Sequence, residues 1–92
     1  MIDASSVLRP RSDVRYRLVD GKGVLIRQGK GEVVVLNQVG ARVLDLLQAG
    51  AVVRGVLERL GAEFEVGPAE LEHDVLGFVR ELVETGILEE AG

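Results

Sequence analysis

The chain of 92 residues has no cysteine, which removes disulfides and thiolate metal sites from consideration. It has one histidine, His73, and one ligand does not make a metal cage. Aromatics are scarce: Tyr16, Phe64, Phe78 and no tryptophan. The twelve glycines complete neither a GxGxxG nor a GxxxxGK[ST] pattern, so no phosphate cradle is spelled out. No apolar run approaches the roughly 18 residues of a membrane span. The first residues, MIDASSVLRPRSD, lack the apolar centre of a signal peptide, so the expected location is the cytosol. With so few nucleophiles, bases and ligands, the inventory points away from an enzyme and calls for no cofactor and no metal.

What is present is aliphatic and charged: 47% hydrophobic and 28% charged residues, the balance of a folded soluble domain. The charge is unevenly spread. Residues 1–30 carry seven Lys/Arg against three Asp, and residues 67–92 carry Arg80 alone against seven acids. The front of the chain is basic and the back acidic, with a net charge of −4.

Residues 1–13 show no sustained period and read as a flexible N-terminal arm, leaving 14–90 as a single domain. From Arg15, three β-prone runs follow: RYRLV, VLIRQ and EVVVLN, separated by the glycine-bearing turns DGKG and GKG. That is the signature of a three-stranded antiparallel meander. Asn37 suits a helix N-cap, and Val39, Val43, Leu46 and Leu47 recur at helical spacing as far as Gly50. A second helix is expected over Val52–Leu60, ended by Gly61 or Gly67, with Phe64 tucked back. A third opens at Pro68 and stops at Gly86. The fold class is therefore α+β: a three-stranded antiparallel sheet followed by three helices.

Two features exceed what a minimal core requires. The third strand-like run, Glu32–Leu36, is aliphatic at Val33, Val34, Val35 and Leu36, where a strand with one wet face alternates. On the third helix, Phe78, Leu71, Leu82, Val75, Val79, Val83 and Leu76 spread over an arc of about 160°, against the roughly 100° one contact needs. Burial on both sides accounts for the helix as well as an exposed binding face does, and for the strand the residues alone favour burial on both faces. His73 and Gly77 fall on the polar side of that helix and read as solvent-exposed. Tyr16 reads as packing at the sheet rim.

The run LNQVGARVLDLL, the segment VLERLGAEF and the stretch DVLGFVRELVETGIL together resemble the PqqD family. Its outline is a strand ending in Leu-Asn, a turn into a helix, a middle helix, then a DVxxFLxxLxxxGLL helix. Leu36, Asn37, Gly40, Ala41, Leu44 and Leu47 fit the first part. Val56, Leu60 and Phe64 fit the second, and Asp74, Val75, Phe78, Leu82, Gly86 and Leu88 the third. The chain departs from the outline at Gln48-Ala49-Gly50 and at Val39, and its third strand carries no aromatic. These departures favour a peptide-modification system other than the one making the redox cofactor PQQ.

The resemblance implies a winged helix–turn–helix-like domain that binds the leader of a ribosomally made precursor peptide. The leader adds as a strand beside the third strand, in a cleft walled by the third helix. The domain then presents the peptide to a separate enzyme, a radical SAM protein or a protease or cyclase of a lasso-peptide pathway. The residues so implicated are Glu32, Val33, Val34, Val35 and Leu36 on the strand. On the helix they are Asp74, Val75, Leu76, Phe78, Val79, Leu82 and Val83. One face of the strand would serve the core and the other the guest, against Val79, Val83 or Leu76.

Two rival readings stand beside this one. A DNA-reading winged helix would neutralise phosphates with Lys and Arg, yet residues 67–86 set Arg80 against Glu70, Glu72, Asp74, Glu81 and Glu84. Nucleic acid is therefore not an expected partner, and neither is a membrane. A structural homodimer through the same exposed strand edge fits the residues and stays open.

Overall fold

A computed structural model describes residues 1–91. The chain order is β1 (Val7–Pro10), β2 (Val14–Val19), β3 (Lys22–Arg27), β4 (Glu32–Leu36), α1 (Gln38–Leu47), β5 (Ala51–Val52), α2 (Val53–Glu63), α3 (Pro68–Glu84) and β6 (Leu88–Glu90). The strands form two three-stranded antiparallel sheets, β2-β3-β4 and β5-β1-β6.

The expected meander is the first sheet. Val19 pairs with Lys22 across a two-residue turn in which Asp20 and Gly21 both have positive φ, 52° and 77°. That conformation matches the natural twist of a hairpin, and Asp-Gly is among its preferred sequences. Arg27 pairs with Glu32 across the second turn, which closes on Gly31 at φ 61°. The pairing Tyr16–Leu25–Val34 puts these three on one face, and Arg17–Val24–Val35 on the other.

The first face carries the helices. Gly23 lies so close under α1 that a Cβ there would sit 2.5 Å from the Cβ of Ala41. The Tyr16 hydroxyl donates to the Ala41 carbonyl at 2.9 Å and ties the same turn of α1 to the sheet. Tyr16 is thus half-buried beneath α1, inside the rim that the sequence suggested. Burial raises its pKa, with Asp45 adding to the effect.

Asn37 caps α1 by accepting from the Gly40 N–H at 2.8 Å, as its residue type leads one to expect. Gly50 and Gly86, at φ 86° and 82°, follow α1 and α3 in the left-handed conformation. Gly61 and Gly67 do not end α2. Gly61 lies inside it, Phe64 is its C-cap, and Gly67 is instead the N-cap of α3 with Pro68 behind it.

The flexible arm needs correction. Val7–Pro10 is the central strand of the second sheet, and Leu8 is fully buried. Ser6 and Ala4 accept hydrogen bonds from Val53 and Arg54 at the start of α2, and Ile2 accepts two from the guanidinium of Arg80 on α3. Pro10 sits where β1 has only β6 beside it, so its missing N–H disturbs no central ladder. The core lies between the helices and the two sheets, with Leu25, Leu44, Leu47, Leu60, Val75 and Val79 among its fully buried members.

Candidate functional site: a groove between an open strand edge and a helix

β4 is an edge strand. One side pairs with β3, and among the described residues no strand pairs with the other. A free edge leaves main-chain N–H and C=O groups to be satisfied by solvent or by another chain. α3 packs on α2 and β6 but stands off β4. The gap is a groove of about 550 Å³. Its walls are Val34, Val35, Leu36 and Asn37 from β4 and its end, Val39, Gly40 and Val43 from α1, and Val66 before α3. Leu71, Asp74, Val75, Phe78, Glu81 and Leu82 complete it from α3.

Helical periodicity explains the α3 wall, since these six residues recur at steps of three and four. Asn37 also shapes the entrance, because its cap turns the chain sharply from β4 into α1. At Gly40 a Cβ would stand 3.1 Å from the Asn37 Oδ1 and 3.2 Å from the Phe78 ring. The missing side chain therefore lets the aromatic ring lie against the first turn of α1.

Of the sequence-predicted site residues, Val34, Val35, Leu36, Asp74, Val75, Phe78 and Leu82 come together around the groove. Glu32, Val33, Leu76, Val79 and Val83 do not line it. Glu32 is engaged with Arg27, whose buried guanidinium donates to it at 3.0 Å. Val33 lies on the outer face of the sheet and is 63% exposed. Val79, 1% exposed, belongs to the core, and Leu76 and Val83 pack against that core as half-buried neighbours. The inward face of β4, Val34 and Leu36, thus serves core and groove together; Val33 and Val35 share the outer face, and of these two only Val35 borders the groove.

The residues the sequence reading missed are Asn37, Val39, Gly40 and Val43, with Val66, Leu71 and Glu81. Leu71 and Glu81 carried a usable signal, since they extend the Asp74–Phe78 stripe by one turn at each end. The α1 contribution carried less, because it depends on how close two backbones run.

Among the described residues no group of three or more His, Cys, Asp or Glu side chains could hold a metal ion. Among the described residues no helix is long and apolar enough to cross a membrane.

The model of the family described as coenzyme PQQ synthesis protein D, PqqD, matches residues 22–88, which takes in β3 through the start of β6 and all of the groove. The chain belongs to the PqqD family. Three solved structures are similar to this PqqD-family chain. TbiB1 in complex with the TbiA(beta) leader peptide has 26% identity and a TM-score of 0.82, over 91% of this chain and 98% of that one. Lasso peptide synthetase B1 complexed with its leader peptide has 28% identity and a TM-score of 0.79, over 89% and 96%. The PqqD truncation of Methylobacterium extorquens PqqCD is described as a functional, stand-alone recognition element for ribosomally synthesised, post-translationally modified peptides. It has 26% identity and a TM-score of 0.79, over 97% and 95%. No curated protein matches. Like these PqqD-type folds, the chain is mixed α+β, and the winged helix–turn–helix outline describes it loosely.

Proposed function

We propose that this protein is a non-catalytic peptide chaperone. It binds the leader of a ribosomally made precursor peptide as an extra strand along β4 and presents it to a separate modifying enzyme in the cytosol. The observation that carries this reading is the coincidence of an unpaired strand edge with an apolar groove along the same strand. β2 is also an edge, but β4 alone borders that groove. Leader peptides bound to two relatives of the same fold support it.

The energetics divide between backbone and side chains. A five-residue edge makes about four or five main-chain hydrogen bonds, each contributing roughly 0.5–1.5 kcal/mol net. Those bonds accept any sequence except proline at a donor position. Discrimination comes from alternate guest side chains, which fall into the groove over Phe78, Val75 and Leu82. The enzyme served is of the lasso-pathway protease or cyclase type, with a radical SAM partner as the other outcome to be tested.

The test is an anisotropy titration with labelled leader segments from precursor reading frames near the gene. Micromolar or tighter binding is expected, abolished by a central proline in the leader and weakened by Phe78→Ala. Absence of binding together with a concentration-dependent dimer would assign the β4 edge to self-association.

A further inference from the structure

The charges of the groove say more about its guest. Its lining holds two ionisable side chains, Asp74 and Glu81, both acidic, and no cation. They stand on one face of α3 at positions 74 and 81, two turns apart, or about 10.5 Å along the axis. Phe78 lies midway between them. Neither has an ion-pair partner among the described residues, whereas Glu32, Asp45, Glu63 and Glu89 are each paired with an arginine. Lys22 lies outside this lining, in an adjoining pocket that shares Val35, Leu36 and Asn37, and four arginines are engaged elsewhere or turned away. Arg80 is spent on the Ile2 carbonyl, Arg27 on Glu32, and Arg15 and Arg17 lie on the outer face of the sheet.

Resting on the leader-binding reading above, we infer that the groove selects a strand with a lysine or arginine on each side of an apolar residue, at alternate positions. Side chains on one face of a strand recur about every 6.7 Å, so the outer two of three stand about 13.4 Å apart. The flexible stems of Lys and Arg absorb the difference of about 3 Å from the carboxylate spacing. The central residue then falls over Phe78, and each stem can lie along the apolar wall with its charge outward. Main-chain pairing fixes only that a strand binds; Asp74 and Glu81 fix its charge pattern and, by their spacing, its register. Each exposed pair alters affinity roughly twofold to fivefold, so two together give about tenfold.

The experiment selects a display library of random twelve-residue peptides on the wild-type protein and on Asp74→Lys/Glu81→Lys, at an ionic strength of about 0.05 M. Both positions are exposed, and a melting curve checks that the variant folds. Should it not, Asp74→Asn/Glu81→Gln replaces it and is expected to lose the cation preference. The wild-type pool should enrich Lys or Arg flanking an apolar residue at alternate positions, and the reversed variant Asp or Glu at the same places. A wild-type winner should bind the variant at least about tenfold more weakly, with the gap closing at about 0.5 M salt. Enriched strands with no cation bias, or a bias that ignores the reversal, overturn the charge selection and leave leader binding standing. If neither protein enriches any peptide, both readings fall together.

Discussion

Gly23 and Gly77 are both glycines inside regular elements, and their surroundings give them opposite consequences. Gly23 permits the contact between β3 and α1, since an added Cβ would press on the Ala41 side chain at 2.5 Å and its Cα at 3.0 Å. Gly23→Ala is therefore expected to cost about 1–3 kcal/mol through forced separation of helix and sheet. Gly77 meets nothing within 4 Å and sits exposed within α3. There alanine removes the helix penalty of glycine, and Gly77→Ala should raise stability by up to about 1 kcal/mol. Urea denaturation of the two variants measures both signs. A stabilising Gly23→Ala would mean that the α1–sheet contact is looser than its geometry says. Tyr16 reinforces that contact, and its donated hydrogen bond to Ala41 explains why one of so few aromatics sits under a helix end.

At the scale of elements, α3 separates stability from recognition along a single stripe. Val79 is in the core at 1% exposure, while Phe78 is half-buried at the groove. Val79→Ala should lose about 1.5–3 kcal/mol of stability with peptide affinity following only the folded fraction. Phe78→Ala should weaken the peptide by more than its effect on melting explains, and a titration beside a melting curve distinguishes the two. A helical wheel orders these residues by angle but cannot say which neighbour each angle meets, so by angle alone Val79 faces the guest as readily as the core. What is local in the chain was legible: the Asp20-Gly21 turn, the Asn37 cap, the glycine stop at Gly86 and the aliphatic run of β4. β1 was not. It has four residues, and its partners β5 and β6 have two and three and lie far along the chain. So short a strand shows no period, and non-local pairing leaves no local mark. Between α1 and α2, Arg42 grips Glu63 through two bonds of 2.8 Å and also reaches Asp45. The hydrogen bond from Arg42 holds the Glu63 carboxyl below its ordinary value of 4.5. A lowered folded pKa gives stabilisation that is complete above the unfolded value and lost as pH falls through the folded one. Wild type should thus melt above Glu63→Gln at pH 7, and the gap should narrow as pH drops below 4.5.

For the molecule as a whole, the groove depends on residues that never touch it. β1 joins the start of α2 to β6, which follows directly from α3, and Arg80 pins α3 to the Ile2 carbonyl. One wall of the groove is thereby held in place by the first ten residues, and the other wall by the β2-β3-β4 sheet. Removing residues 1–10 takes away the fully buried Leu8, worth about 1.5–3 kcal/mol by burial alone. It also leaves β5 and β6 with no strand between them. In a domain whose total stability is of order 5–15 kcal/mol, that loss is a large fraction. The truncated chain is expected to melt at a clearly lower temperature, with amide protection falling first in β6 and the last turns of α3. Peptide affinity should fall as well, although every groove residue is intact, because α3 loses its tether while β4 keeps its partner. Melting and protection equal to those of the full chain would show instead that β1 only decorates a domain complete without it. An unfolded truncation would make the same residues indispensable, and Arg80→Ala would then serve as the milder probe. That change removes the two bonds to Ile2 and spares Leu8, so it should loosen α3 and reduce affinity within a chain that still folds.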